Sequence, residues 1–191
     1  VGRLVDRMSP FVLIITGIGM GFCGTYALSS GDANTPILTL LLFGIACRLG
    51  QSFMGPSITA SAMRALPPEA LAQGSGTISF FRQMGGAFGI SCLVAAVEMR
   101  TSFHHHALGA TQHGANRSTS EFLNDVQGLL FTTGIPEPAA HQMALKFLQS
   151  SVAAQSDALA WRDGFLLLAG IFVLAVLPAW LLGRAQRAKA Y

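Results

Sequence analysis

The chain has 191 residues, of which 51% are hydrophobic and only 11% charged, against roughly 25% charged in an average soluble domain. Twelve basic and nine acidic residues leave a net charge of +3, and no Lys/Arg run forms a nucleic-acid-binding patch. This excludes an ordinary soluble domain and gives an all-α fold class, a set of polytopic membrane helices whose basic residues flank apolar stretches.

Residues 1–10, VGRLVDRMSP, are expected to form a cytoplasmic loop. The chain opens on Val1, and no charged, apolar and small-residue succession marks a cleavable signal. These residues look like a loop that follows an earlier helix, so the chain is read as a piece of a longer protein with its front missing.

Three membrane-spanning helices with short turns are expected over 11–99. The first runs from Phe11 to about Ser30 and holds no charge. Gly17 and Gly21 form a small-xxx-small spacing that lets a neighbouring helix approach closely, and Gly24 continues that side. The polar turn 31–35 precedes Pro36, which suits a first helical turn. The second span runs from Pro36 to about Met63, with Arg48 near its middle and Gly55-Pro56 later, a pair expected to kink or unwind it. Leu66-Pro67-Pro68-Glu69 stops that helix. The third span runs from about Leu71 to Met99, carries Arg82, and repeats the small-residue spacing at Gly85, Gly86 and Gly89.

Residues 100–160 form the one long polar stretch, expected as an external loop with two amphipathic helices, Thr119 to about Phe131 and Glu137 to Ala160. A fourth span over 161–183 has Trp161 and Trp180 near its ends, where indole rings favour the lipid–water boundary. Residues 184–191 make a short basic cytoplasmic tail.

With four spans, Arg3, Arg7, Arg64, Arg184, Arg187 and Lys189 fall on one side. Arg100, Arg117, Lys146 and Arg162 are spread over the longer segments of the other. The excess of positive charge places both ends of the segment in the cytoplasm.

Two arginines stand inside apolar helices. Arg48 lies about twelve residues after Pro36, near mid-bilayer at about 1.5 Å per residue, and Arg82 enters from the opposite side to a similar depth. A mid-membrane Arg costs roughly 2.5 kcal/mol or more, so each needs protein, water or a partner. One reading is a cavity lining that attracts an anionic group or a carboxylate. The other is a structural Arg bonded to helix carbonyls or snorkelling to an edge. No Asp or Glu lies in the middle of any span.

The remaining chemistry is sparse. Cys23, Cys47 and Cys92 all lie in apolar stretches and suggest no disulfide framework or zinc pattern. His104-His105-His106, with Met99 before and His113 after, suggest a metal site, but three consecutive side chains point in different directions and fit one metal poorly. Asn116-Arg117-Ser118 matches a short glycosylation pattern. No nucleophile–base pair, phosphate loop or metal triad is present, so neither enzyme activity nor a cofactor is expected.

Gly2-Arg3-Leu4-Val5-Asp6-Arg7 resembles the G-x-L-x-D-R gating loop of the major facilitator superfamily, with Met8-Ser9-Pro10 replacing the rest of that motif. Arg48-Leu49-Gly50-Gln51 with Gly55-Pro56, Leu66-Pro67-Pro68-Glu69 with Gly74-Ser75-Gly76, and Phe81-Arg82-Gln83-Met84-Gly85-Gly86-Ala87-Phe88-Gly89 resemble, in order, fourteen-helix drug–proton antiporters of the EmrB/QacA type. The resemblance implies the last four transmembrane spans of a major facilitator fold in the inner membrane. It implies a parent that exports small molecules in exchange for protons by alternating access, with Arg82 and Arg48 as coupling candidates and the missing N-terminal helices of the same chain as partners. The alternative is a self-contained four-helix membrane scaffold or assembly protein. A metal enzyme built on the His cluster is a further rival and lacks visible ligands.

Overall fold

The computed structural model describes residues 10–31, 35–113 and 115–188. Every regular element among them is helical. Helix α1 spans Pro10–Ser29, α2 Ile37–Arg64, α3 Leu71–Thr111, α4 Arg117–Thr132 and α5 Glu137–Ala188, with a 3-10 turn at Pro68–Ala70. Four stretches among the described residues are long and apolar enough to cross a membrane: Pro10–Ser29, Ile37–Arg64, Pro68–Thr111 and Glu137–Leu181.

Local chemistry explains where the helices stop. At the end of α1, the amides of Ser30 and Gly31 close tight bonds to Ala27 and Leu28, 3.1 Å each. Pro36 then starts α2 without a side-chain cap, its carbonyl accepting from Thr39 at 3.0 Å. Pro67 and Pro68 cannot continue α2, and the chain reverses there with the Leu66 side chain folded onto Gly74 of α3. At α4, Asn116 caps the start by accepting from the Ser118 amide at 3.1 Å. Its end is a Schellman arrangement: Gly134 has φ +85°, its amide donates to Phe131 at 3.0 Å, and the Ile135 amide donates to Leu130 at 3.3 Å.

Two helices extend past the limits that hydropathy suggests. The third helix does not stop at Met99 but continues to Thr111. The fifth runs from Glu137 through Trp161 into the last apolar stretch without a break. A change from apolar to polar side chains does not end a helix; a breaker does, and none lies between Met99 and Gly109 or between Pro138 and Gly164. By contrast, α2 stays helical through Gly55-Pro56, the pair expected to kink or unwind it, so one proline within a helix packed on its neighbour does not end that helix.

The chain divides into two compact units, one made of the residues up to Ala95 with those from Arg162 onward, the other of Ala96–Trp161. In the first, buried Ile14, Ile18 and Ala179 form the core, with Ile15, Met54, Phe172 and Ala175 packed on it. Three helices therefore share this core: α1, α2 and the apolar part of α5. In the second unit, small residues carry the packing. Ala140, Ala144, Ser156 and Ala160 of α5 are buried, and Phe122 of α4 stacks on Phe147 of α5 with ring centroids 6.3 Å apart. The buried Thr119 hydroxyl donates to Gln112 Oε1 at 2.7 Å, and Gln127 meets the His141 ring nitrogen at 2.9 Å.

Candidate functional site

The closest helix contact in the first unit is a seam of small residues between α1 and α2. A methyl group on Gly17 would stand 2.5 Å from Met54 Cγ and 2.7 Å from the Gly50 carbonyl oxygen. One on Gly24 would meet Cys47 Sγ at 2.5 Å and the Cys47 amide at 2.9 Å. One on Gly50 would meet the Gly17 carbonyl and the Gly21 amide, each at 2.8 Å. Glycine is required at these positions because backbone meets backbone, the close approach that stabilises helix pairs where no hydrophobic force separates protein from lipid. Hydroxyls along the seam are satisfied within their own helices. Thr25 Oγ1 donates to the Gly21 carbonyl at 2.8 Å and Ser57 Oγ to the Phe53 carbonyl at 2.7 Å.

Helix α5 closes the other side of α1 with rings over glycines. The Phe172 ring lies against Gly21, where a methyl would come within 2.6 Å, and the Phe11 ring lies against Gly183 at the same distance. Gly21 is thus hemmed in by both neighbours of α1. Toward the end of α5, the Arg184 guanidinium sits 4.5 Å from the Trp180 ring centroid, a cation–π pair of the kind that suits a membrane boundary.

The other residues named from sequence are arranged differently. Arg48 is exposed on α2, and its Nη1 donates to Gln51 Oε1 at 3.3 Å. Arg82 is exposed on α3, and no hydrogen bond or ion pair joins it to another described residue. Around it, α3 is exposed from Phe80 to Cys92, and space is open beside Gly85, Gly86 and Gly89. Gly55 also faces open space. So the structure brings Gly17 and Gly21 into tight contact and leaves Gly55, Gly85, Gly86, Gly89, Arg48 and Arg82 facing outward among the described residues. Gly2, Arg3, Asp6 and Arg7 lie outside the described residues.

Among the described residues, no group of three or more His, Cys, Asp or Glu side chains converges as metal ligands would. Asn116 of the short glycosylation pattern has both ends of its side chain engaged, since its Nδ2 also donates to the Thr111 carbonyl at 2.8 Å.

Sequence reasoning singled out one wall of the seam and missed the other. Phe43, Cys47, Gly50, Met54 and Ser57 recur at alternating spacings of four and three along α2. That is the period of one helix face, and it is the signal that could have found Gly50. The partner of Gly21 on α5, Phe172, carries no such signal, because the stretch around it is apolar on every side.

No family model matches the chain, and no solved structure matches it. Several curated proteins do. The chain is 29% identical over 101 residues to an uncharacterized MFS-type transporter of Mycobacterium tuberculosis, covering 52% of the chain and 17% of that protein. It is 30% identical over 100 residues to the multidrug transporter protein MdtP of Bacillus subtilis, covering 52% and 18%. It is 29% identical over 114 residues to a multidrug resistance protein B homolog of Mycobacterium tuberculosis, covering 58% and 20%. The aligned part thus spans a fifth or less of each relative's length. With the four apolar helices, these likenesses support an integral membrane protein related to the major facilitator superfamily.

Proposed function

We propose that this chain forms the last four membrane helices of a secondary transporter of the fourteen-helix drug–proton antiporter type. It would export small molecules from the cell across the inner membrane by alternating access. The observation that carries this reading is the likeness, over more than half of the chain, to proteins named as a multidrug transporter and a multidrug resistance protein. Four helices long and apolar enough to span a membrane accompany it.

The geometry suits a division of labour. Backbone contact at Gly17, Gly50, Gly24 and Cys47, with the rings of Phe172 and Phe11 on Gly21 and Gly183, binds α1, α2 and the apolar part of α5 into one close-packed body. Such a body rocks as a unit. Helix α3 offers the opposite character. Its exposed glycines leave room for another helix to slide past, and exposed Arg82 supplies a fixed positive charge in an apolar stretch. That charge is expensive in lipid and stable beside water, an anionic group or a carboxylate. In this reading it couples to an acid on an N-terminal helix of the same protein, whose proton is exchanged for substrate. Arg48, already held by Gln51, has a secondary electrostatic role.

The experiment is dye extrusion from efflux-deficient cells that express the full-length protein. A lipophilic cationic dye is loaded, and its exit is followed with and without a protonophore. Expected is extrusion that collapses when the proton gradient is removed and falls about tenfold in Arg82→Ala, an effect near 1.4 kcal/mol on the transport barrier. Extrusion indifferent to both the gradient and Arg82→Ala would falsify the coupled mechanism.

A further inference from the structure

The exposed side of the last apolar stretch changes its chemistry in order. Val173, Leu177, Trp180 and Arg184 follow one another at spacings of four, three and four residues, so they lie along one stripe of α5. Val173 and Leu177 are 56% and 63% exposed, and Trp180 is 49% exposed. Arg184 is exposed too, three residues past Leu181, where the membrane-length stretch ends, or about 4.5 Å further along the axis. The side of the helix that carries Phe172, Ala179 and Gly183 packs inward on α1. Arg184 is positioned and still has donors to offer. Its guanidinium lies over the Trp180 ring, 4.5 Å from the centroid, and among the described residues it makes no hydrogen bond or ion pair. A guanidinium over a ring keeps its in-plane N–H groups for an anion. No acidic residue lies between Asp163 and Tyr191, so no carboxylate of this stretch competes for it.

We propose that this stripe binds one phospholipid of the surrounding bilayer, its acyl chain along Val173 and Leu177, its glycerol region at Trp180 and its phosphate on Arg184. Order selects the ligand. Along the helix the side chains run aliphatic, indole, guanidinium, and a phospholipid runs acyl chain, glycerol, phosphate. Depth selects it as well. Leu181 ends the apolar stretch and Arg184 stands just beyond, where headgroup phosphates lie outside the hydrocarbon. A protein helix fits less well. The contact of α1 with α2 relies on Gly17, Gly24 and Gly50 for close approach, whereas this stripe is bulky throughout and suits lipid tails. A headgroup with no cation of its own is favoured, because a choline or ethanolamine ammonium competes with Arg184 for the phosphate. The proposal stands independently of transport.

The test uses the full-length protein in nanodiscs doped with photoactivatable phosphatidylglycerol or phosphatidylcholine of equal acyl length, the photoreactive group set near the glycerol. Labelled peptides are mapped after irradiation, with and without excess inorganic phosphate. Expected is labelling of residues 173–184 that favours phosphatidylglycerol and resists inorganic phosphate. Arg184→Gln should lower it roughly two- to fivefold, the scale of an exposed ion pair. Arg184→Lys should lower it less, and an unchanged melting temperature shows that each variant is folded. The lipid preference of the unaltered protein keeps the test decisive should a variant not fold. The proposal is overturned if residues 173–184 stay unlabelled, if both lipids label them equally, or if inorganic phosphate displaces the label. It is overturned as well if folded Arg184→Gln labels as before, or if these residues cross-link to another protein segment instead.

Discussion

Gly17 and Gly50 meet backbone to backbone: a methyl on either would stand within 2.8 Å of the other's carbonyl oxygen. Neither oxygen belongs to a flexible side chain that could swing away. Gly50→Ala and Gly17→Ala are therefore expected to force α1 and α2 apart at a cost of about 1–3 kcal/mol, the range for overpacked interiors. Gly19→Ala and Gly44→Ala provide the contrast, since both open onto empty space on the same two helices. These should leave stability unchanged or raise it by about 0.5–1 kcal/mol through helix propensity. Thermal unfolding of the detergent-solubilised full-length protein reads the difference. A melting temperature equally lowered in all four variants would mean that the seam is not what the substitutions disturb.

A second expectation concerns Phe172, whose ring rests on Gly21. Phe172→Ala should cost about 2 kcal/mol, less than the 3–5 kcal/mol of a fully buried ring because this one is only partly buried. Gly21→Ala alone should also destabilise. The pair should be non-additive, because removing the ring makes room for the methyl. Additive losses in a double-mutant cycle would contradict direct packing between the two.

Asn116 makes two bonds that hold the junction before α4, one to the Ser118 amide and one to the Thr111 carbonyl. Asn116→Ala should loosen α4 by about 1 kcal/mol, as for other lost caps. Asn116→Asp keeps the acceptor and loses the donor, so it should fall between the two. Hydrogen exchange of the amides from Ser118 to Phe122 is the direct measure. Protection that does not change would remove the cap from the account.

Topology gives a further check. The distribution of basic residues predicts cytoplasmic ends for the segment; on that prediction, Gly128→Cys in a cysteine-free full-length protein should react with a membrane-impermeant maleimide added to intact cells. Glu69→Cys, in the turn after α2, should react only after the membrane is opened. Both positions are exposed, so access and not burial decides the result. The reverse pattern would invert the orientation.

Much of the fold is legible from the residues themselves. Helix α1 begins at Pro10 and α2 ends at Arg64, each within one residue of the limits set by hydropathy, because proline and polar turns stand at those borders. The extents of α3 and α5 are not legible in the same way. Arg100 and Trp161 mark where side-chain polarity changes, and the backbone passes both without noticing, since neither is a breaker. The seam is half legible. The Gly17, Gly21 and Gly24 spacing stands out in a charge-free helix, whereas Gly50 hides beside Arg48, which draws the eye to charge. The packing of the second unit is not legible in the same way, because Phe122 stacks on Phe147 and that pairing joins residues far apart in the chain.

Pro56 alters what α2 can do. It has no amide hydrogen, so the Ser52 carbonyl one turn earlier loses its helical donor. Hydroxyls crowd the same turns: Ser52 donates to the Arg48 carbonyl at 2.9 Å and Thr59 to the Gly55 carbonyl at 3.0 Å. Such back-bonding competes with the ladder and favours bending. Just upstream, Gly50 and Met54 are clamped against Gly17. Stiffness along α2 is therefore uneven, with a held segment followed by a compliant one. An elastic rod under load curves where its bending modulus is lowest, so mechanical stress applied to the Arg64 end would be absorbed near Pro56 before it could shear the glycine contact.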